Sequence, residues 1–175
     1  MIDVKVVGLD VATSLIERIE PDKLAKELVE NLAEMGAELA KEHLRSQPFA
    51  SYPSELEQSI QYKVKHTKSM AKATISADAG FAAYVEYGTG IVGKNSPSPN
   101  ASIKGIVYDR NNHGEKGWKY FKNGKFRWTR GQTSKPFMYE TAQSLINLVS
   151  PTANMLIAKR FPKKKSQFGK LWGKR

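Results

Sequence analysis

A regular hydrophobic repeat runs through residues 21–48, which read PDKLAKELVENLAEMGAELAKEHLRSQP. Its apolar side chains recur at spacings of three and four, the period of one helix face, while Glu and Lys occupy the other face. Pro21 suits a first helical position, and Pro48 predicts where the helix ends. Burying each large side chain contributes about 1.5 to 3 kcal/mol, so this helix is expected to anchor the core. The apolar positions are Leu24, Leu28, Leu32, Met35 and Leu39, continuing to Leu44.

The segments on either side of this helix predict a small sheet for it to lie on. Ser54 and Glu57 have the S-x-x-E spacing of a capping box, which predicts a short helix after Pro53. Residues 60–65 and 71–77 each alternate apolar and polar side chains, and predict two antiparallel strands with one apolar face. Residues 2–9 alternate as a strand does, whereas residues 82–87 are apolar but too short to assign to strand or helix.

The second half of the chain begins with a long polar connection. Residues 88–135 are rich in Gly, Asn, Ser, Pro and Lys, which is typical of a functional loop. Within it, Asn123-Gly124 separates two aromatic and basic runs and predicts a projecting hairpin, because both turn positions need positive φ. Pro136 opens a second helix, which Ser150-Pro151 is expected to interrupt and restart toward Phe161. Its apolar stripe is Phe137, Met138, Ala142, Leu145, Ile146 and Val149.

These patterns together predict an α+β fold. A long N-terminal amphipathic helix is expected to pack on a small antiparallel sheet, accompanied by a second, C-terminal helix. One domain is predicted for residues 1–161, with a loop and hairpin insertion at 91–134. Residues 162–175 are predicted to form a basic, flexible tail, because they have too little apolar content to fold alone.

The positive charge is concentrated at the C-terminal end. The 175-residue chain has a net charge of +11, and from residue 141 onward there are eight basic and no acidic residues. This leaves 20 basic against 17 acidic residues for the rest of the chain. Such a tail can bind DNA or an acidic protein surface, or it can be a solvated extension. Phe168 and Trp172 resemble anchors that become ordered on a partner. The candidate DNA or acidic-partner contacts are Lys163, Lys164, Lys165, Lys170, Lys174 and Arg175.

Composition also excludes several classes of protein. No apolar run is long enough for a transmembrane helix, and the first residues do not resemble a secretory signal, so assembly in the cytoplasm is expected. The absence of cysteine excludes disulfides and thiolate chemistry. His43, His66 and His113 are far apart in sequence, so neither a metal site nor a cofactor is predicted.

One stretch has the pattern of a nucleotide-binding loop. Residues 88–95, GTGIVGKN, contain G-x-G-x-x-G and the first seven positions of a P-loop, with Lys94 as the candidate catalytic lysine. The eighth position needs a hydroxyl for magnesium but is Asn95, and the prolines that follow do not favour a phosphate-binding helix. We therefore interpret the stretch as a Gly-rich turn. Because no nucleophile or acid–base pair is recognisable elsewhere, the chain is predicted not to be an enzyme.

The hairpin itself permits two interpretations. Its lysines and Arg127, interleaved with aromatic side chains, are suited to single-stranded nucleic acid, which is bound by stacking and phosphate contacts. Alternatively, the aromatic side chains pack on the domain or on an adjacent subunit, which we favour because cross-strand pairing alone accounts for them. The candidate subunit or partner contacts are Trp118, Tyr120, Phe126 and Trp128, together with the tail residues Phe168 and Trp172.

Read in order, the chain resembles the tail-completion, or tail-to-head joining, family of siphophage neck proteins. Two blocks carry most of the resemblance. The first, Tyr84-Val85-Glu86-Tyr87-Gly88-Thr89-Gly90, is similar to the family's Y-V-E-[FY]-G-T signature, and the second, Lys135-Pro136-Phe137, is similar to its [RK]-P-F block. Gly8-Leu9, the long helix and residues 54–60 precede them in the family's order. The resemblance covers residues 1 to about 150, but residues 90–134 form a longer connection than short members have, and the basic tail is additional.

The resemblance implies a structural virion protein. Members form a ring, commonly a hexamer, at the head-proximal end of the tail, between the tail terminator or tail tube and the head-closure connector, with DNA crossing the channel. The expected location is therefore the neck of the virion, with no membrane partner. A nucleic-acid-binding protein that uses the hairpin and tail remains an alternative, as does a head-closure or minor head protein.

Overall fold

The computed structural model describes residues 21–49, 53–67, 70–100, 107–109 and 111–160. The predicted strand at 2–9 and the predicted tail at 162–175 lie outside these residues. The helices are α1 (Pro21–Ser46), α2 (Ser54–Gln58), α3 (Ala82–Tyr87), α4 (Gly90–Asn95) and α5 (Phe137–Arg160). The strands are β1 (Ile60–His66), β2 (Ala71–Ala77), β3 (Trp118–Lys122), β4 (Lys125–Thr129) and β5 (Gly131–Gln132). The predicted α+β fold is confirmed.

Helix α1 packs on both the β1–β2 sheet and α5. It begins at Pro21 and ends two residues before Pro48, as predicted. In the middle of α1, small residues form the buried face, and Met35 and Leu39 are only partly buried, contrary to what the leucine repeat predicts. Small residues are required there because the neighbouring elements come closest to α1 at this point. At Gly36, a Cβ atom would overlap the side chains of Ile75 and Leu145. The buried set is Leu24, Leu28, Val29, Leu32, Ala33, Gly36, Ala37, Ala40 and Leu44.

Strands β1 and β2 form the predicted antiparallel hairpin. Their apolar residues face one another directly across the ladder, in the pairs Ile60↔Ala77, Tyr62↔Ile75 and Val64↔Ala73. A register of this kind keeps all of them on the face that α1 covers, because alternate strand residues point to the same side. Met70 closes the turn by accepting a hydrogen bond from the Thr67 amide at 2.8 Å.

Helix α5 runs antiparallel to α1 as one continuous helix. Arg160 near its end bonds Glu27 near the start of α1 (2.7 Å), while Glu140 in its first turn bonds Gln47 beyond the end of α1 (3.0 Å). The predicted interruption at Ser150-Pro151 is wrong, because Pro151 lies inside the helix. Proline removes one backbone hydrogen bond, but burial of Ala153 and Leu156 against α1 offsets that loss.

Two further predictions are corrected by the structure. Ile146 does not belong to the buried stripe of α5, since it is 65% exposed, and Thr141 is fully buried instead. Thr141 can be buried because its hydroxyl donates to the Phe137 carbonyl (2.7 Å) within the helix. The capping box at Ser54 is also wrong, because Pro53 is the N-cap and Ser54 is already helical, so its hydroxyl caps nothing. The unassigned residues 82–87 form helix α3.

Candidate functional site

The two family-like blocks meet at the start of α5. Glu86, at the end of α3, points its carboxylate at the first turn of α5, where Oε2 accepts from the Met138 amide (2.9 Å) and Oε1 from the Tyr139 amide (3.1 Å). The first amides of a helix have no partner inside it, and a carboxylate there also interacts favourably with the helix dipole. Glu86 therefore caps α5 although it lies 52 and 53 residues before the two amides.

Backbone contacts reinforce this joint between the two blocks. The Lys135 amide donates to the Val85 carbonyl at 2.8 Å, and the Ser134 hydroxyl donates to the Glu86 carbonyl at 2.9 Å. Val85 is 5% exposed and packs in the same apolar cluster as Phe137, which is 1% exposed. The structure thus brings the Tyr84–Gly90 and Lys135–Phe137 blocks into direct contact.

Glu86 is a titratable group inside the protein, with 6% of its surface exposed. Burial raises the pKa of its carboxyl above the ordinary value, a direction that the nearby Glu140 reinforces and the two accepted amide hydrogen bonds oppose. The carboxyl also lines a cavity of about 340 Å³ together with Ala82, Tyr87 and Phe137. Ionised Glu86 therefore carries a desolvation cost that exceeds the stabilisation from the two amide hydrogen bonds, which is why its pKa is raised.

The glycines of the first block allow the two ends of the insertion to lie directly against each other. Gly88 has φ +79° and ψ 176°, a conformation that essentially only glycine adopts, and a Cβ atom there would lie 2.8 Å from the Gln132 carbonyl oxygen and the Ser134 nitrogen. Isolated antiparallel bridges join Thr89 to Gln132 and Gly90 to Gly131. The chain therefore leaves and re-enters the domain at one point, so the insertion is an appendage of the joint.

The same glycines are not arranged as an open phosphate cradle. Residues Gly90–Asn95 form the short helix α4. The Gly90 amide donates to the Tyr108 carbonyl (2.7 Å) and the Val92 amide to the Arg130 carbonyl (3.3 Å). A P-loop needs its amides for phosphate oxygens, whereas these two amides hold the insertion in place. Lys94 is exposed at the end of this turn.

A turn around Asp109 orients the start of the hairpin, and it was not predicted from the sequence. The Asp109 carboxylate accepts from the amides of His113 (2.9 Å) and Gly114 (2.7 Å) and also contacts the His113 ring (3.0 Å). The amide hydrogen bonds lower the pKa of Asp109. His113 in turn stacks on Trp118, with ring centroids 4.6 Å apart. The four-residue spacing of Asp109 and His113 was the signal that could have indicated this contact.

The hairpin has the predicted turn, with positive φ at both Asn123 (53°) and Gly124 (74°). Of its aromatic side chains, Trp118 packs within its own chain, because it is partly buried between His113 and Gly90. The others are exposed where the structure describes the chain. The exposed fractions are 38% for Tyr120, 64% for Phe121, 75% for Phe126 and 57% for Trp128.

The remaining predicted contacts lie outside the described residues. These are Lys163, Lys164, Lys165, Phe168, Lys170, Trp172, Lys174 and Arg175. Within the described ranges, no three His, Asp or Glu side chains are grouped so that they could hold a metal ion. No helix in those ranges combines the length and apolar character needed to cross a bilayer.

Comparison of the chain with family models, curated proteins and solved structures gave no match.

Proposed function

We propose that this chain is a non-enzymatic structural subunit of a siphophage virion, which completes the head-proximal end of the tail and joins it to the head. In this role it forms a ring in the neck between the tail terminator or tail tube and the head-closure connector. The ring is proposed to be a hexamer, as is common in the family that the chain resembles. The basic tail is available to acidic partners or to the DNA that crosses the channel.

One observation carries the proposal. The two blocks on which the family resemblance rests are separated by the 44 residues 91–134, yet they form one joint through Glu86 and the first turn of α5. A joint of this kind accounts for the two blocks occurring together, because the glutamate of one block caps the helix that the other block begins. It also accounts for the variable length between them, since an insertion at a closed base leaves the joint intact.

The proposal is tested by deleting the gene from its phage and imaging the lysate by electron microscopy. We expect DNA-filled heads and full-length tails lying unjoined, because neither half needs this subunit for its own assembly. Restoring the wild-type gene in trans should restore joined particles. Joined particles in the deletion lysate, or particles that lack tails altogether, would overturn the assignment.

Fractionation distinguishes a tail-completion role from a head-closure or minor head role. Heads and tails that remain unjoined because another neck component is missing are purified apart and probed for this chain. A tail-completion subunit should sediment with the tails. Recovery with the heads would favour the head-closure alternative.

The exposed hairpin supports a second candidate function, binding of single-stranded nucleic acid. Phe121, Phe126 and Trp128 are exposed on the same face as Lys119, an arrangement suited to base stacking and a phosphate contact. Affinity for a single-stranded oligonucleotide should then fall steeply with salt, and the slope should decrease when Lys119 is replaced by Ala. A ring subunit that does not use the hairpin for DNA should show no dependence on Lys119.

A further inference from the structure

The hairpin presents one face that no other part of the described chain covers. The β3–β4 register places Lys119 opposite Trp128 and Phe121 opposite Phe126, so these four side chains share a face. The rings of Phe121 and Phe126 meet edge to face with centroids 5.2 Å apart. Three aromatic side chains more than half exposed on one small sheet are unusual for a soluble surface and indicate a contact site.

The hairpin is also uniformly basic. Lys119, Lys122, Lys125 and Arg127 lie on β3 and β4, and neither strand contains an acidic residue. Among the described residues, none of these four cations forms an ion pair. Lys119 lies on the aromatic face, whereas Lys122, Lys125 and Arg127 lie on the opposite face. An occupant of the aromatic face must therefore combine negative charge near Lys119 with apolar area.

The chain itself offers a surface of that kind on the exposed side of α1, next to β1. Glu30, Glu34, Glu38 and Glu42 recur every four residues and are all exposed. Residues four apart lie on the same side of a helix, so these carboxylates form one acidic stripe. Two of them have partners within the described residues, Glu30 with His66 (2.9 Å) and Glu38 with Lys41 (2.7 Å).

A groove runs beside this acidic stripe. It has a volume of about 450 Å³ and lies between α1 and β1, with Glu30, Asn31 and Glu34 along one side. Tyr62 and Val64 supply its apolar floor, and Tyr62 is 43% exposed. The groove therefore provides what the hairpin lacks, carboxylates next to apolar side chains.

We propose that the aromatic and basic hairpin of one subunit lies in the acidic groove between α1 and β1 of an adjacent copy. This inference rests on the proposed ring and names the surfaces that build it. The two surfaces belong to different parts of the chain, so the contact is head to tail, and such contacts form a closed ring when the rotation between copies closes. Complementary charge favours a second copy over nucleic acid, because a phosphate backbone would be attracted to the hairpin but would leave the acidic groove unexplained.

The natural absence of cysteine permits a site-specific test with the full-length protein. Lys119→Cys protein is mixed with Glu34→Cys protein and oxidised mildly, and the disulfide-linked dimer is quantified by non-reducing gel electrophoresis. The matched control mixes Lys119→Cys with Gln143→Cys, which places the second thiol on the exposed surface of α5. We expect the Glu34 pair to link at least about tenfold more than the control, because only that pair would be held together. Equal yields would overturn the inference.

Charge exchange in the phage gives a second, independent readout. Lys119→Glu and Glu34→Lys should each reduce joined particles by about tenfold or more, since each places like charges together. The double variant should restore joining. If the deletion phage gives unjoined heads and tails but the double variant restores nothing, the proposed function stands and this contact is wrong. If Lys119→Glu abolishes salt-dependent binding of single-stranded DNA while the thiols fail to link, the hairpin binds nucleic acid and the inference is overturned.

Discussion

Glu86 and Gly88 show how single residues determine the joint between the two blocks. Glu86 supplies acceptors for two amides that a helix cannot satisfy internally, and it does so from inside the protein. Two residues later, Gly88 adopts a backbone conformation in which a side chain would collide with the backbone of Gln132 and Ser134. The identity of each residue is set by a different physical requirement, charge acceptance for Glu86 and the absence of Cβ for Gly88.

The buried carboxyl of Glu86 should make stability depend on pH. Its pKa is raised in the folded state above the ordinary value of 4.5, so the native protein binds a proton more readily than the unfolded chain. Stability is therefore expected to fall as the pH rises from 4.5 through the folded pKa, and to be unaffected by this group below 4.5. Urea unfolding of wild type and Glu86→Gln across pH 4 to 7.5 isolates the effect, because the variant does not titrate here. A wild-type advantage that grows with pH would contradict the raised pKa.

Replacing Gly88 by Ala should destabilise the protein strongly. The positive φ and extended ψ cost about 1 to 3 kcal/mol for a residue with Cβ, and the contacts of 2.8 Å with backbone atoms add to that cost. We expect a total loss of at least about 2 kcal/mol in the free energy of unfolding. Gly80→Ala is the matched control, since a Cβ atom there meets nothing within 4 Å. Similar losses for the two variants would show that Gly88 is not required.

At the level of elements, the antiparallel pair of α1 and α5 holds the domain together. The N-terminal half of α1 packs with the C-terminal half of α5 and with Ile75, and the other ends form a second cluster with Val85 and Phe137. The joint at Glu86 lies beside this second cluster. The core therefore fixes the start of α5, and through it the point from which the insertion projects.

Two adjacent positions on α5 test which face carries this packing. Leu145→Ala should reduce the free energy of unfolding by about 2 to 5 kcal/mol, because Leu145 is 2% exposed and its loss leaves a cavity. Ile146→Ala should change it by no more than about 0.5 kcal/mol, since Ile146 is 65% exposed. Chemical denaturation of the two variants gives the comparison. Equal losses would mean that Ile146 also packs on the domain.

At the level of the whole molecule, the described residues divide into a packed body and a projecting hairpin. The body contains both apolar clusters, and none of their members lies on β3 or β4. The hairpin is held at its base by Trp118, whose ring packs against Gly90 and His113. Stability and partner contact are thus expected to reside in different parts of the chain.

This division predicts that the hairpin can be shortened without unfolding the body. Removing residues 119–122 and 125–128 joins Trp118 to Thr129 through Asn123-Gly124, which preserves a two-residue turn because those residues are already paired. The thermal midpoint should shift by less than about 4 °C, equivalent to about 1 kcal/mol for a chain of this size. A phage carrying the variant should nonetheless accumulate unjoined heads and tails. A large drop in the thermal midpoint would show that the hairpin supports the core.

Local patterns in the sequence were sufficient for the elements of this protein. The leucine repeat predicted α1, strict alternation predicted β1 and β2 as an antiparallel pair, and Asn123-Gly124 predicted the β3–β4 turn, because each pattern depends on neighbours a few residues away. Within the candidate site, the hairpin aromatic side chains were found in the same way, whereas the two blocks were found through the family resemblance.

Only the tertiary structure decided how these pieces meet. The capping of α5 by Glu86, the burial of Thr141 in place of Ile146, the continuity of α5 through Pro151 and the use of Trp118 inside its own subunit all depend on groups distant in sequence. No local pattern predicts that Glu86 lies next to an amide some 50 residues later in the sequence. Nor does a local pattern predict which face of α5 is covered by α1. Desolvation and packing act through space, so they become visible only when the chain has folded.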